Sequence, residues 1–199
     1  KFFTWLRPPA VRPPHFLLKV AVMEAKDHDA ATADSTALTG VGACGRPVVQ
    51  IAPMLDVTYK DFRQFMRCLS RRTQLWTEMC VDNCLVHAAT VDGFLDFAPN
   101  EHPIVCQLGG SNPEYLGRAA RIVASWGYDE INLNCGCPSD RVAGKGEFGA
   151  SLMRKPELVR ECVRSIADSC TLPVSVKCRL GVDDDESPEF TANFVRTVA

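Results

Sequence analysis

The sequence predicts an α/β fold with a parallel sheet. Within that class it predicts a (β/α)8, or TIM, barrel truncated after about five β/α units, behind a disordered N-terminal extension. Three observations predict it. Short apolar runs alternate with amphipathic helical stretches about 20–40 residues apart, the rhythm of βαβ units. The apolar runs end in polar or Gly-rich turns, where such folds carry their chemistry. The stretch from Val48 to Ala199 falls well short of the ~250 residues of a whole barrel. A complete five-stranded doubly wound sheet is the alternative, but no G-x-G-x-x-G turn follows the first strand.

The bulk numbers narrow the class. The 199 residues are 46% hydrophobic and 23% charged, with a net charge of -2. That balance gives no global pull toward nucleic acid or an anionic membrane, so any such binding needs a local patch. No apolar run reaches the ~18 residues of a membrane span. The ten cysteines sit mostly inside apolar runs, which argues for a reducing compartment and against a disulfide scaffold. The spacings Cys80-x3-Cys84 and Cys135-x-Cys137 lack the paired C-x2-C pattern, and no metal is expected.

Residues 1–47 read as a low-order extension. Lys1, Arg7, Arg12 and Lys19 precede the first carboxylate, Glu24, and the stretch from Ala30 to Gly45 is small and polar. Such a segment buries too little apolar surface to order itself. Its basic, acid-poor start suits either an organelle targeting remnant, mitochondrial or plastid, or plain unstructured sequence. Without it a cytoplasmic protein is expected. The chain begins at Lys1 rather than Met, as expected of a fragment, a processed product or an incomplete gene model.

The compact part is residues 48–199. Val48–Met54 reads as strand one, ended at Pro53. Thr58 and Asp61 form a capping box for a helix whose apolar stripe is Phe62, Phe65, Met66 and Leu69. Gln74–Met79 is strand two, and 81–89 a short helix. Strand three is Ile104–Leu108, closed by Gly109 and Gly110. Asn112 and Pro113 open the next helix, which Gly127 ends. Glu130–Asn134 is strand four. Pro156 starts a helix with Leu158, Val159, Cys162, Val163, Ile166 and Ala167 on one side. Pro173–Cys178 is strand five, and Ser187-Pro188 opens a last helix.

In a barrel the strand ends converge on one face. That face would hold Met54, Met79, Gln107, Asn134, Cys137, Lys177 and Arg179. There is no Ser-His-Asp arrangement and no His cluster, so hydrolysis and zinc chemistry are disfavoured. Gln107 and Asn134 can donate and accept at a ring edge. Lys177 can stabilise negative charge developing on a ring. A flavin has those needs.

The motifs Ala52-Pro-Met54, Thr77-Glu-Met79, Gln107-Leu-Gly109, Asn132-Leu-Asn-Cys-Gly-Cys-Pro-Ser139, Phe148-Gly-Ala-Ser-Leu-Met153 and Val176-Lys-Cys-Arg-Leu-Gly181 occur in order at consistent spacing. Together they resemble the FMN-dependent tRNA-dihydrouridine synthases, in particular the DusA-like branch, over nearly all of residues 48–199. The resemblance implies a TIM barrel that holds FMN, takes electrons from NADPH and reduces the uracil C5=C6 bond of tRNA uridines, in the D-loop for this branch. It implies Cys137 as the proton donor, with Cys135 at a variable position. Pro53, Met54, Leu55, Gln107, Asn134 and Lys177 match cofactor-contacting positions. The implied partner is tRNA, with no membrane and no stable protein partner. The alternatives are another FMN barrel, such as a dihydroorotate dehydrogenase-like enzyme, and an inactive product that at most binds RNA.

Substrate contact has one clue. Arg141, Lys145, Arg154, Lys155, Arg160 and Arg164 outnumber Glu147, Glu157 and Glu161 beside the Cys137 loop. Arg141 and Lys145, with Arg179 at the end of strand five, are the candidates to meet phosphates. The acidic run Asp183–Glu186 reads as favourable placement before a helix N-terminus. His87 and His102 read as ordinary surface or satisfied residues. A five-unit piece would expose a sheet edge and an apolar interior, so poor solubility and weak FMN binding are expected of it alone.

Overall fold

The computed structural model describes residues 3–5, 19–23, 49–139 and 148–199. Four parallel strands form its core: β3 (Leu75–Val81), β4 (Ile104–Gly109), β5 (Glu130–Cys135) and β6 (Val174–Arg179). They lie side by side in chain order, with each connection crossing over through helix. This is the α/β parallel arrangement the alternating pattern predicts. The helices are α1 (Lys60–Leu69), α2 (Asp82–His87), α3 (Asp92–Leu95), α4 (Pro113–Ser125), α5 (Pro156–Ser169) and α6 (Pro188–Val198). Single 3-10 turns occupy Pro99–Glu101 and Gly149–Arg154.

The two faces of the sheet differ in chemistry, and the alternation along each strand is the cause. Ile104, Cys106 and Leu108 of β4, Ile131, Leu133 and Cys135 of β5, and Val174, Val176 and Cys178 of β6 face one way. They join Leu116, Ala120 and Val123 of α4 and Val159, Val163 and Ile166 of α5 in one core. Burying each large aliphatic side chain there contributes about 1.5–3 kcal/mol. The intervening residues, Gln107, Glu130, Asn132, Asn134 and Ser175, are polar and also buried.

Helix ends read from sequence hold where a side chain does the capping. Asn112 accepts from the Tyr115 N–H at 3.1 Å, and Ser187 accepts from the Phe190 N–H at 3.1 Å. Gly127 closes α4 at φ +84, a conformation open to glycine at no steric cost.

Several expectations are corrected. Of the expected strand Val48–Met54, the described residues 49–54 form none. Gln50 makes an isolated bridge to Gln74, and Gln74 exchanges bonds with Val49 and Ile51; Pro53 then has no N–H with which to extend the ladder. Thr58 does not cap α1 in a box. Its hydroxyl instead bonds both the N–H and the C=O of Met54, and Tyr59 is the cap residue. The apolar stripe of α1 meets the core only in part: Met66 packs against it, but Phe65 and Leu69 are 60% and 65% exposed. Arg63 and Arg67 point inward. Arg63 Nε donates to Glu101 Oε2 at 2.5 Å, and Arg67 donates to the carbonyls of Ser70, Thr73 and Glu101. A fork of guanidinium donors satisfies the bare carbonyls of an irregular connection, which apolar side chains cannot do.

Two short strands, β1 (Phe3–Trp5) and β2 (Lys19–Met23), lie within the extension expected to be disordered; its other residues are outside the described set. β2 runs parallel to β6 and β1 antiparallel to β2. An open sheet edge offers unpaired N–H and C=O groups, and the Val20 and Val22 of β2 favour extended backbone.

The acidic run turns sharply, with a bridge between Val182 and Asp185 and Asp183 at φ +50. Asp183 and Asp185 pair with Arg154 at 3.2 and 2.8 Å, and Arg160 pairs with Glu157. Arg154 and Arg160 of the basic run are each paired with a carboxylate. No helix among the described residues is long and apolar enough to cross a membrane.

Candidate active site

The loop after β5 is held from three sides. Asn134 Oδ1 accepts from the N–H groups of Gly136 and Cys137, each at 3.0 Å, so one carboxamide shapes the turn. The Cys137 carbonyl accepts from the Ala150 N–H at 2.9 Å, which ties the loop to the 3-10 turn after Phe148. The Gly136 carbonyl accepts from Arg179 Nη1 at 3.3 Å, which ties it to β6. Pro138 follows with a fixed φ.

The structure separates the two thiols of this loop. Cys135 is fully buried on the helix-facing side of β5. Burial drives its pKa well above the ordinary thiol range, and the neighbouring Cys178 and Cys162 push the same way. Cys137, beyond the strand, is half-buried on the open end of the sheet.

Beside the loop, the strand ends bring most of the expected residues together. Lys177 lies opposite Asn134 in the β5–β6 register and is half-buried. Met79 lies opposite Gln107 in the β3–β4 register. That register shifts by one residue after Trp76, a bulge at Thr77–Glu78 that re-aims the end of β3. Glu78 Oε1 accepts from the Asp56 N–H at 2.6 Å and so anchors the turn carrying Met54 and Leu55. Those two side chains are 41% and 66% exposed, an apolar shelf beside a row of amides; Pro53 is half-buried.

Gln107 and Asn134 bond one another, with Asn134 Nδ2 donating to Gln107 Oε1 at 2.9 Å. Gln107 is buried, and its Nε2 also donates to Asn132 Oδ1 at 2.8 Å. It therefore supports the site from beneath, and Asn134 stands between it and the surface. An apolar shelf, an amide edge and an ammonium fit a flat polar aromatic ring such as a flavin. Arg141 and Lys145 lie outside the described residues.

A cavity of about 510 Å³ opens beside β3, α1 and α3, lined among others by Leu55, Lys60, Glu78, Met79 and Asp96. It shares the Leu55 and Met79 edge of the site and does not include Gln107, Asn134, Cys137 or Lys177. The chemistry-bearing groups lie at the open end of the sheet.

Reasoning from the strand ends alone missed Glu130, Asn132 and Ser175. Their signal is in the sequence: in Glu130-Ile-Asn-Leu-Asn134, polar residues alternate with apolar ones in a strand flanked by partners on both sides. In a strand so placed, polar residues of one parity form a polar face, not a solvated one.

A family model described as Dihydrouridine synthase (Dus) matches residues 50–199. A tRNA-dihydrouridine(20/20a) synthase from Xanthomonas axonopodis pv. citri (strain 306) is 50% identical over 150 residues, 75% of this chain and 44% of that protein. Proteins of the same name from Salmonella typhimurium (strain LT2) and Escherichia coli (strain K12) are 48% and 47% identical over 149 residues. The chain spans 44% and 42% of their lengths.

Proposed function

Because the chain belongs to the dihydrouridine synthase family, we propose that residues 48–199 form the N-terminal portion of an FMN-binding TIM barrel. In this reading the barrel is a tRNA-dihydrouridine synthase, and the described strands belong to its first five β/α units. Residues 1–47 lie outside the catalytic unit. The substrate is a uridine of the tRNA D-loop, at the positions 20 and 20a that the relatives' names specify. The observation that carries the reading is the half-buried Cys137 in a loop whose backbone N–H groups Asn134 holds, with Lys177 opposite Asn134 on the next strand.

FMN reduced by NADPH, when bound, supplies a hydride to uracil C6. Pro53, Met54 and Leu55 give the ring an apolar face and exclude water from it. Asn134 presents an amide to the ring edge, and Gln107 fixes the direction in which that amide points. The Lys177 ammonium favours negative charge on the ring. Hydride addition at C6 leaves an enolate-like anion on uracil, and the Cys137 S–H gives its proton to C5 to complete dihydrouridine. A thiol S–H held at the end of the strand suits that general-acid step. Half-burial leaves the thiolate within reach of solvent to recover its proton. Arg141, Lys145 and Arg179 contribute positive charge for the tRNA backbone.

The test uses the full-length protein with FMN, NADPH and unmodified tRNA, and counts dihydrouridine. Cys137→Ala is expected to keep its flavin and lose at least ~100-fold in turnover. Cys135→Ala is expected to turn over as the wild type does. Wild-type rates for Cys137→Ala would remove the assignment. Retained tRNA binding with no reduction by the parent chain would leave an RNA-binding product only. Reduction of a free small substrate in place of tRNA would point to another flavin barrel.

A further inference from the structure

Behind the Cys137 loop, the polar face of the sheet carries an unbroken line of hydrogen bonds. The Glu130 carboxylate accepts from the Ser175 hydroxyl at 2.6 Å. Ser175 Oγ accepts from Asn132 Nδ2 at 2.9 Å. Asn132 Oδ1 accepts from Gln107 Nε2 at 2.8 Å, and Gln107 Oε1 accepts from Asn134 Nδ2 at 2.9 Å. Asn134 Oδ1 then accepts the two backbone N–H groups of the loop. None of these five side chains is more than 8% exposed. The line crosses three strands, from the start of β5 to the turn that follows it.

Its polarity is determined at both ends. Backbone N–H groups only donate, so the Asn134 atom facing them must be oxygen, and its nitrogen must then face Gln107. At the other end Ser175 Oγ takes the Asn132 N–H, which leaves the Ser175 hydroxyl proton to donate to Glu130. Each carboxamide between them has one orientation that satisfies both neighbours. A flip anywhere would set oxygen against oxygen or nitrogen against nitrogen in a buried place, which is costly.

We propose that Glu130, Ser175 and Asn132 are positioning residues: a buried relay that holds the Gln107 and Asn134 carboxamides in the one orientation that fixes the Cys137 loop. None of the three reaches the open end of the sheet, so they act through Asn134. Their role in uridine reduction rests on the synthase reading above; their effect on the loop does not.

The test therefore has two independent measurements on the full chain. Ser175→Ala removes the hydroxyl link with almost no change in volume. Amide hydrogen exchange at Gly136 and Cys137 is expected to quicken roughly 3- to 10-fold, while Leu133 and Val176 in the adjoining strands keep wild-type exchange. Ser175→Thr keeps the hydroxyl and is expected to restore the slow exchange. With FMN, NADPH and tRNA, Ser175→Ala is expected to lower kcat with KM for tRNA unchanged. Unaltered exchange at Gly136 and Cys137, or an equal rise throughout the sheet, would overturn the relay. A full-length wild-type protein that reduces no tRNA uridine would overturn the synthase reading, while the exchange result would still decide the relay.

Discussion

Cys135 and Cys137 sit two residues apart and differ in what a thiol can do. Cys135 is packed among Cys162 and Cys178, where burial holds all three in the neutral form, with the pKa of Cys162 and Cys178 pushed up from 9.0 to about 12. A neutral, enclosed thiol neither attacks nor is attacked. Cys137 lies past the strand end, half-buried, with one side packed against the core and the other open to solvent. In native protein, iodoacetamide is expected to label Cys137 while Cys135, Cys162 and Cys178 stay unmodified, as read by mass spectrometry of the separate peptides. Labelling of Cys135 at the Cys137 rate would overturn this division. The pattern Cys-Gly-Cys-Pro named both candidates, and the end of the strand separates them: Cys135 is its last residue and Cys137 lies in the turn beyond. Gln107 shows the opposite limit. Its place at a strand end was legible, but its burial and its two amide partners belong to residues 25 and 27 positions away.

Elements reveal the same division between local and distant causes. Asn112 and Ser187 cap α4 and α6 because capping joins groups three residues apart, which the sequence displays directly. α1 was readable as a helix, but its buried side was not. Periodicity favoured Phe62, Phe65, Met66 and Leu69; the protein turned Arg63 and Arg67 inward to serve Glu101 and bare carbonyls of the connection after α3. Where α4 meets α5, Gly117 lets two helices approach closely. A Cβ there would lie 2.7 Å from Ser165 Oγ and 2.8 Å from Ser169 Oγ. Ser165 Oγ cannot swing away freely, since it donates to the Pro113 carbonyl at 2.6 Å. Gly117→Ala would gain ~1 kcal/mol in helix propensity and is expected to lose about 1–3 kcal/mol to overpacking. Urea denaturation should therefore give a net loss of stability; a gain would mean that the helices separate at no cost.

For the whole molecule, the buried thiols set a pH limit. The folded pKa values of Cys106, Cys135, Cys162 and Cys178 lie above the ordinary thiol value, chiefly through burial, so folding favours their protonated form. That stability is fully present below pH ~9. As pH rises toward 12, the unfolded chain releases protons that the folded chain retains, and stability falls. The buried Tyr128 hydroxyl, also raised by burial, acts in the same direction. Urea midpoints are expected to fall steadily between pH 8.5 and 10.5; a flat profile would show that the thiols ionise as easily folded as unfolded. The sheet also ends in apolar surface, with Val49, Phe65 and Leu69 exposed on one flank and a groove of Leu180, Pro188, Ala192 and Val195 on the other. By itself, the sequence determined the α/β parallel class, the order of four strands, the capped helices and the motif series, because each depends on spacing within one segment. Only the tertiary structure decided which side of α1 is buried, that residues 49–54 make a bridge and no strand, and that Arg154 answers the acidic run. It also decided that Glu130, Ser175, Asn132, Gln107 and Asn134 form one line leading to Cys137. Each of those depends on partners far apart in the chain, which meet only once neighbouring strands have set their register.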